Sequence, residues 1–303
     1  MSPVGWHEKT RLTIQTLVAR SQGMSESILR LTAEDYRTPA IKFTDYANIL
    51  PMFDGLAFNE PLILVGPAGV GKSIGIAHFA HKHEVPLITY GCAEDSRRSH
   101  LVGNYKITGG DTQFVLGAVT TAIDIANEVG SAILCLEEVN ALSPQTQKTL
   151  NGLMDYRQSM DVGEAGKKFA LKEGKKLWVV GTMNFSVYGG VYELNTDFKS
   201  RFEFLDVGYP NKAIEEKLIF SECGDVLPSK EVKNIITWAE ETRKGVEKGA
   251  VNYALSPRDT CRITRVGGRM GIEKALRLAL NKFSLDDRPV ATAGIKRIWG
   301  LSL

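Results

Sequence analysis

Residues 66–73 read GPAGVGKS, and the reading of this stretch decides the fold. It matches G-x-x-x-x-G-K-[S/T]. The apolar run LILV (62–65) precedes it and the helical stretch IGIAHFAHKH (74–83) follows. A strand, a glycine-rich loop and a helix in that order form the setting a phosphate-binding loop requires. Gly66, Gly69 and Gly71 let the backbone curl and turn its N–H groups toward an anion, and the start of the helix adds its dipole. Lys72 supplies a point charge at the β- and γ-phosphates. Ser73 offers its hydroxyl to Mg²⁺, a hard ion that takes oxygen ligands. Pro67, Ala68, Val70 and Ile74 complete the expected nucleotide contacts.

Outward from the loop, short apolar runs alternate with helical stretches from about 60 to 210. The runs are Leu62–Val65, Pro86–Tyr90, Ala132–Leu136, Leu177–Gly181 and Phe204–Val207. They are continuous, not alternating, as in strands buried on both faces of a parallel sheet with helical crossovers. An α/β domain is therefore expected over 46–210. One run ends in acids: AILCLEE, 132–138. Open α/β sheets bind ligands at the C-terminal edge of their strands, so Glu137 and Glu138 would stand beside the loop. One would hold Mg²⁺ through water and the other would polarise an attacking water.

After Pro210 the strand signals stop. Asn211–Ser221, Lys230–Lys248, Arg258–Arg265 and Gly271–Phe283 read as helices, which predicts a small helical domain over 211–303. Residues 1–45 hold two helix-like stretches, roughly 7–21 and 24–32, expected to form an N-terminal extension. Two segments, NYKITGGDTQFV (104–115) and SMDVGEAGKKFAL (159–171), have β-like arms around glycine-rich turns and are expected to be hairpins.

Composition bounds the class. The chain has 303 residues, 43% hydrophobic and 24% charged, with a net charge of +2. That length suits about two domains. No apolar run approaches the ~20 residues that span a bilayer, and the start lacks the apolar segment of a secretory signal. A cytoplasmic protein with no membrane partner is expected. The cysteines, Cys92, Cys135, Cys223 and Cys261, lack metal or disulfide spacing and read as reduced thiols. His78, His81 and His83 lie in or just after the helix following the loop, and only His78 and His81 share a face, so they do not read as a metal site.

The ordered set of motifs resembles the AAA+ ATPases, specifically the MoxR/CbbQ-like, helix-2-insert branch, over roughly residues 55–285. GPAGVGKS is similar to Walker A and LCLEEVNAL (134–142) to Walker B. VVGTMN (179–184) is similar to sensor 1, LNTDFKSRF (194–202) to the arginine-finger segment, and LSPR (255–258) to sensor 2. The two hairpins resemble inserts that face a ring's central pore in relatives, and the C-terminal helices resemble the lid. The resemblance implies ATP hydrolysis with Mg²⁺. Ser73 and Glu137 would place the ion, with Glu138 as base and Asn184 orienting water. Arg201 would act on a neighbour's site, and Arg258 would sense the γ-phosphate. Glu137 stands where the branch usually has Asp, one methylene shorter.

A finger working in trans implies a homo-oligomeric ring, a hexamer in this family. The resemblance further implies a remodelling ATPase with a protein client, among them proteins with a von Willebrand factor A domain. The alternative is a nucleic-acid translocase or nuclease-associated motor. Lys167, Lys168, Lys172, Lys175 and Lys176 could line a channel for phosphates or simply solvate a hairpin. The solvated reading places protein remodelling first.

Overall fold

A computed structural model describes residues 31–108, 111–155, 157–163, 166–184 and 192–303. The predicted helix at 7–21 and nearly all of that at 24–32 lie outside the described residues.

In chain order, an irregular strap (38–46) leads to α1 (Ile49–Leu56), β1 (Leu62–Val65), α2 (Lys72–Lys82), β2 (Leu87–Gly91) and α3 (Arg98–Val102). The first hairpin, β3 (Gly103–Thr108) and β4 (Asp111–Leu116), precedes α4 (Ala118–Val129), β5 (Ser131–Glu137) and α5 (Pro144–Leu150). The second hairpin, β6 (Ser159–Val162) and β7 (Lys167–Ala170), leads to β8 (Lys176–Met183), α6 (Thr196–Lys199) and β9 (Glu203–Asp206). The helices α7 (Lys212–Cys223), α8 (Ser229–Glu247), α9 (Pro257–Met270), α10 (Ile272–Leu280) and α11 (Arg288–Trp299) follow.

The five predicted apolar runs form one sheet in the order β2-β5-β8-β1-β9, every pairing parallel. Strand parity splits the core in two, because successive side chains point to opposite faces. Ile63, Val65, Leu134 and Leu136 join α4 residues on one face. Leu62, Leu64, Ile133 and Cys135 meet α1 and α2 on the other. There Phe53, Phe79 and Trp178 pack edge to face, centroids 5.4–5.6 Å apart, an arrangement worth more than area burial alone. This packing holds α2, and with it the loop, against the sheet.

The two hairpins touch through aromatic side chains. Tyr105 packs on Phe114 at 5.4 Å, and Phe114 stacks on Phe169 at 6.3 Å. Beyond β9 the helices have their own core around Trp238, Leu255, Leu276 and Ile295. Two features differ from the sequence reading. The helix expected over 258–265 continues to Met270, running through Gly267, which is buried beside Leu227. α11 was not expected; its signals are a proline in the first turn and buried Ala291 and Ile295 four residues apart.

Candidate nucleotide site

The glycine-rich loop leaves β1 under the end of β9. A Cβ on Gly66 would lie 2.1 Å from the Val207 carbonyl oxygen, so only glycine fits there. Gly69 has φ +78°, a region L side chains rarely adopt, and its Cβ would lie 2.6 Å from Ser256 Oγ. The loop is thus pressed between the sheet and the start of α9.

A cavity of about 290 Å³ opens above it. Of the predicted residues, Ala68, Gly69, Gly71, Lys72, Ser73, Ile74, Glu137, Glu138, Asn184 and Arg258 line it, joined by Gly91, Cys92 and Thr182. Of the predicted contacts, Gly66, Pro67 and Val70 do not line it. Lys72 is buried, and its ammonium donates to the Gly66 and Pro67 carbonyls, both at 2.8 Å, and to Asn184 Oδ1 at 3.1 Å. Burial depresses its pKa to about 8; Glu138 opposes the shift and the charge of Arg258 adds to it.

The two acids reach the cavity by a backbone device. Glu137 is the last residue of β5, and Glu138 takes a left-handed conformation, φ 54° and ψ 47°. That turn brings both side chains to the same side, where an ideal strand would send them apart. The Glu138 N–H donates to Thr182 Oγ1 at 3.2 Å, and Asn184 Nδ2 donates to Glu138 Oε1 at 3.4 Å. A non-glycine residue held at positive φ costs free energy and is commonest at functional sites. Burial, with Glu137 and Glu138 adding to it, pushes the Cys92 thiol up to about 12.

A second cavity of about 190 Å³ adjoins the first and shares Gly69, Gly71, Ile74 and Arg258 with it. Its apolar wall comes from Phe43 of the strap, Val70, Leu218, Pro257 and Cys261. The strap is held on α2: His78 Nδ1 faces the Ile41 carbonyl and His81 Nδ1 the Thr38 carbonyl, each at 2.9 Å. Tyr46 Oη lies 2.9 Å from both the Val70 and the Gly208 carbonyls. An apolar, partly aromatic wall beside a phosphate loop suits a planar nucleobase. Val70 belongs to the predicted loop and Pro257 to the LSPR stretch, but sequence reasoning missed Phe43, Leu218 and Cys261, which no local motif marks.

Arg201 stands apart. It borders a different cavity of about 390 Å³, together with Asn59–Pro61, Leu153–Asp155 and Leu177–Val179. Its guanidinium donates to the Asp197 carbonyl, while its Nε is buried with no hydrogen-bond partner among the described residues. The Asp197 carboxylate accepts from Asn151 instead, at 2.7 Å.

Known proteins are similar to this chain in sequence and in fold. Residues 61–202 match the AAA domain (dynein-related subfamily). The chain is 27% identical over 248 residues to Protein NorQ of Paracoccus denitrificans, an alignment spanning 79% of this chain and 86% of that protein. It is 30% identical over 164 residues to Protein CbbQ of Hydrogenophilus thermoluteolus, spanning 54% of this chain and 59% of that one. It is 29% identical over 163 residues to the denitrification regulatory protein NirQ of Stutzerimonas stutzeri, spanning 54% and 57%. The alignments thus reach less than two thirds of CbbQ and NirQ. The crystal structure of NtrX from Brucella abortus shares the fold, with a TM-score of 0.50 and 14% identity over 96% of this chain and 70% of that chain.

Proposed function

We propose that this chain, an AAA+ ATPase of the dynein-related, MoxR-like branch, works as a closed homo-oligomeric ring that spends ATP hydrolysis on remodelling a protein client. In this reading residues 46–210 bind the nucleotide, 211–303 form a lid over it, and 1–45 are an N-terminal extension.

Lys72 and the loop amides hold the phosphates, with the base against Phe43 and Val70. The hydroxyl of Ser73 and the carboxylate of Glu137 are hard oxygen donors on one cavity wall, a set that suits Mg²⁺. When bound with ATP the ion neutralises charge on the phosphate oxygens. Glu138 takes a proton from the attacking water and Asn184 orients that water. Arg258 meets the phosphates from the lid.

One observation carries the ring: Arg201 lines a cavity that shares no residue with the phosphate cavity. An arginine finger acts by reaching the transferring phosphoryl group, so Arg201 serves a neighbour's site. Head-to-tail contacts of that kind close into rings, here of six. The name of NirQ, a denitrification regulatory protein, supports a regulatory role.

The test mixes two full-length variants. Lys72→Ala and Arg201→Ala each lack hydrolysis alone, and Arg201→Ala still binds nucleotide. Mixed, they form some sites with an intact loop facing an intact finger, and hydrolysis returns. Wild-type turnover by Arg201→Ala, or a mixture no more active than its parts, removes the trans role.

A further inference from the structure

The acid that follows Arg258 has no part in the site described above, yet it is among the most heavily bonded side chains in the lid. Asp259 is buried at the third position of α9. Its Oδ2 accepts from the Ser256 N–H at 2.9 Å, the Ser256 hydroxyl at 2.7 Å and the Tyr253 hydroxyl at 3.0 Å. Its Oδ1 accepts from the ammonium of Lys282, which comes from beyond α10. Ser256 in turn caps the helix by accepting from the Asp259 N–H at 3.3 Å. This is a reciprocal capping box, with a buried ion pair added behind it. Burial alone would raise the Asp259 carboxyl, but the bonds from Lys282 and Ser256 hold it below the usual carboxylate range.

The box does more than end a helix. Ser256 and Arg258 are the lid residues that touch the phosphate loop: a Cβ on Gly69 would meet Ser256 Oγ at 2.6 Å and Arg258 Cβ at 3.3 Å. Arg258 sits between the cap and the acid and lines the phosphate cavity. A long cation placed by one helical turn goes where that turn goes, so whatever fixes the turn fixes the charge.

We propose that Asp259, anchored by Lys282, is a positioning residue for the nucleotide site: it clamps the first turn of α9 against Gly69 so that Arg258 and Lys72 face one another across the phosphate cavity. The proposal rests on the nucleotide reading given above. It makes Lys282, which lines neither cavity, part of what sets nucleotide affinity.

The test measures dissociation constants of a non-hydrolysable ATP analogue and of ADP, both with Mg²⁺, on the full-length protein and three variants. In Asp259→Asn the analogue weakens about tenfold, the worth of one charge-assisted hydrogen bond, and ADP weakens less. The difference arises because the ligand with the additional charge loses more when a cation is displaced. Lys282→Met changes the ratio in the same direction, and Lys282→Arg restores it. A general loss of stability would instead weaken both ligands alike. If Asp259→Asn does not fold, Lys282→Met decides, since it leaves the bonds to Ser256 and Tyr253 in place. A wild-type protein that binds both ligands, with an unchanged ratio in Lys282→Met and in any folded Asp259→Asn, overturns the positioning role. A wild-type protein that binds neither ligand overturns the nucleotide reading itself, and this inference with it.

Discussion

Asn184 and Glu138 meet through their side chains, the amide Nδ2 donating to Oε1 at 3.4 Å. The other end of the same amide accepts from Lys72 at 3.1 Å. Its orientation is fixed by chemistry: a flipped amide would set a carbonyl against a carboxylate and an NH₂ against an ammonium. Asn184 therefore spans the cation that would hold the phosphates and the acid that would activate water. The three side chains form one linked network.

If Glu138 is the base, Glu138→Gln keeps the shape and loses the proton acceptor. Hydrolysis should fall by about 10²- to 10⁴-fold, the usual worth of general acid–base catalysis, while nucleotide binding persists. Asn184→Ala should also slow hydrolysis, by roughly 10²-fold. The double variant should fall little further than Glu138→Gln alone, because the two act as one unit. Single-turnover rates and equilibrium binding separate these effects. Near-wild-type hydrolysis by Glu138→Gln would reassign the base.

The depressed Lys72 pKa makes nucleotide binding pH-dependent in a definite direction. Burial lowers it from 10.5 to about 8. Below about pH 8 the ammonium is already charged and binding needs no proton. Above it the free site is increasingly neutral. Bound phosphates favour the charged form and draw its pKa back up. Binding should therefore take up protons above about pH 8, and affinity should fall as pH rises beyond that value. Titration calorimetry in buffers of differing ionisation enthalpy reads the proton count. No uptake at pH 9 would mean that Lys72 is not the phosphate ligand. Glu138→Gln should move the onset lower, since Glu138 now supports the charge.

The parts of this molecule that could be read from sequence are those whose signal is local. β1, the loop and α2 follow one another within residues 62–82, and the motif states its own chemistry. The three inner strands, β1, β5 and β8, were legible because burial on both faces leaves continuous apolar runs, whereas the edge strands β2 and β9 are partly exposed and are marked by their apolar runs alone. The wall around Phe43, Leu218 and Cys261 was not legible, because three segments far apart in the chain meet only on folding. The same holds for the thiol of Cys223, which approaches the Cys261 carbonyl at 3.4 Å although 38 residues separate them. The left-handed backbone of Glu138 also left no trace, since glutamate gives no warning of a positive φ. Tertiary contacts at the strand end impose it.

The clearest stability prediction lies in the C-terminal helices, at Glu215. Glu215 and Arg243 are both buried and pair through two bonds of 2.7 and 2.8 Å. Thr260 donates to the same carboxylate at 2.9 Å, the Arg243 Nε donates to the Leu255 carbonyl at 2.8 Å, and the guanidinium lies 4.3 Å above the Tyr209 ring. One cluster thus ties α7, α8 and α9 to the segment after β9. Glu215→Ala leaves a buried guanidinium with no counter-charge, at a cost of about 3–5 kcal/mol. Replacing both residues, as in Glu215→Leu with Arg243→Met, removes the charge with its partner and should cost much less than either single change. Denaturant unfolding without nucleotide compares wild type, Glu215→Ala, Glu215→Leu, Arg243→Met and the double variant. If the double variant is as unstable as the sum of the singles, the pair holds these helices together by shape and not by charge. A double variant as stable as wild type would mean that the ion pair serves to specify the arrangement of the three helices.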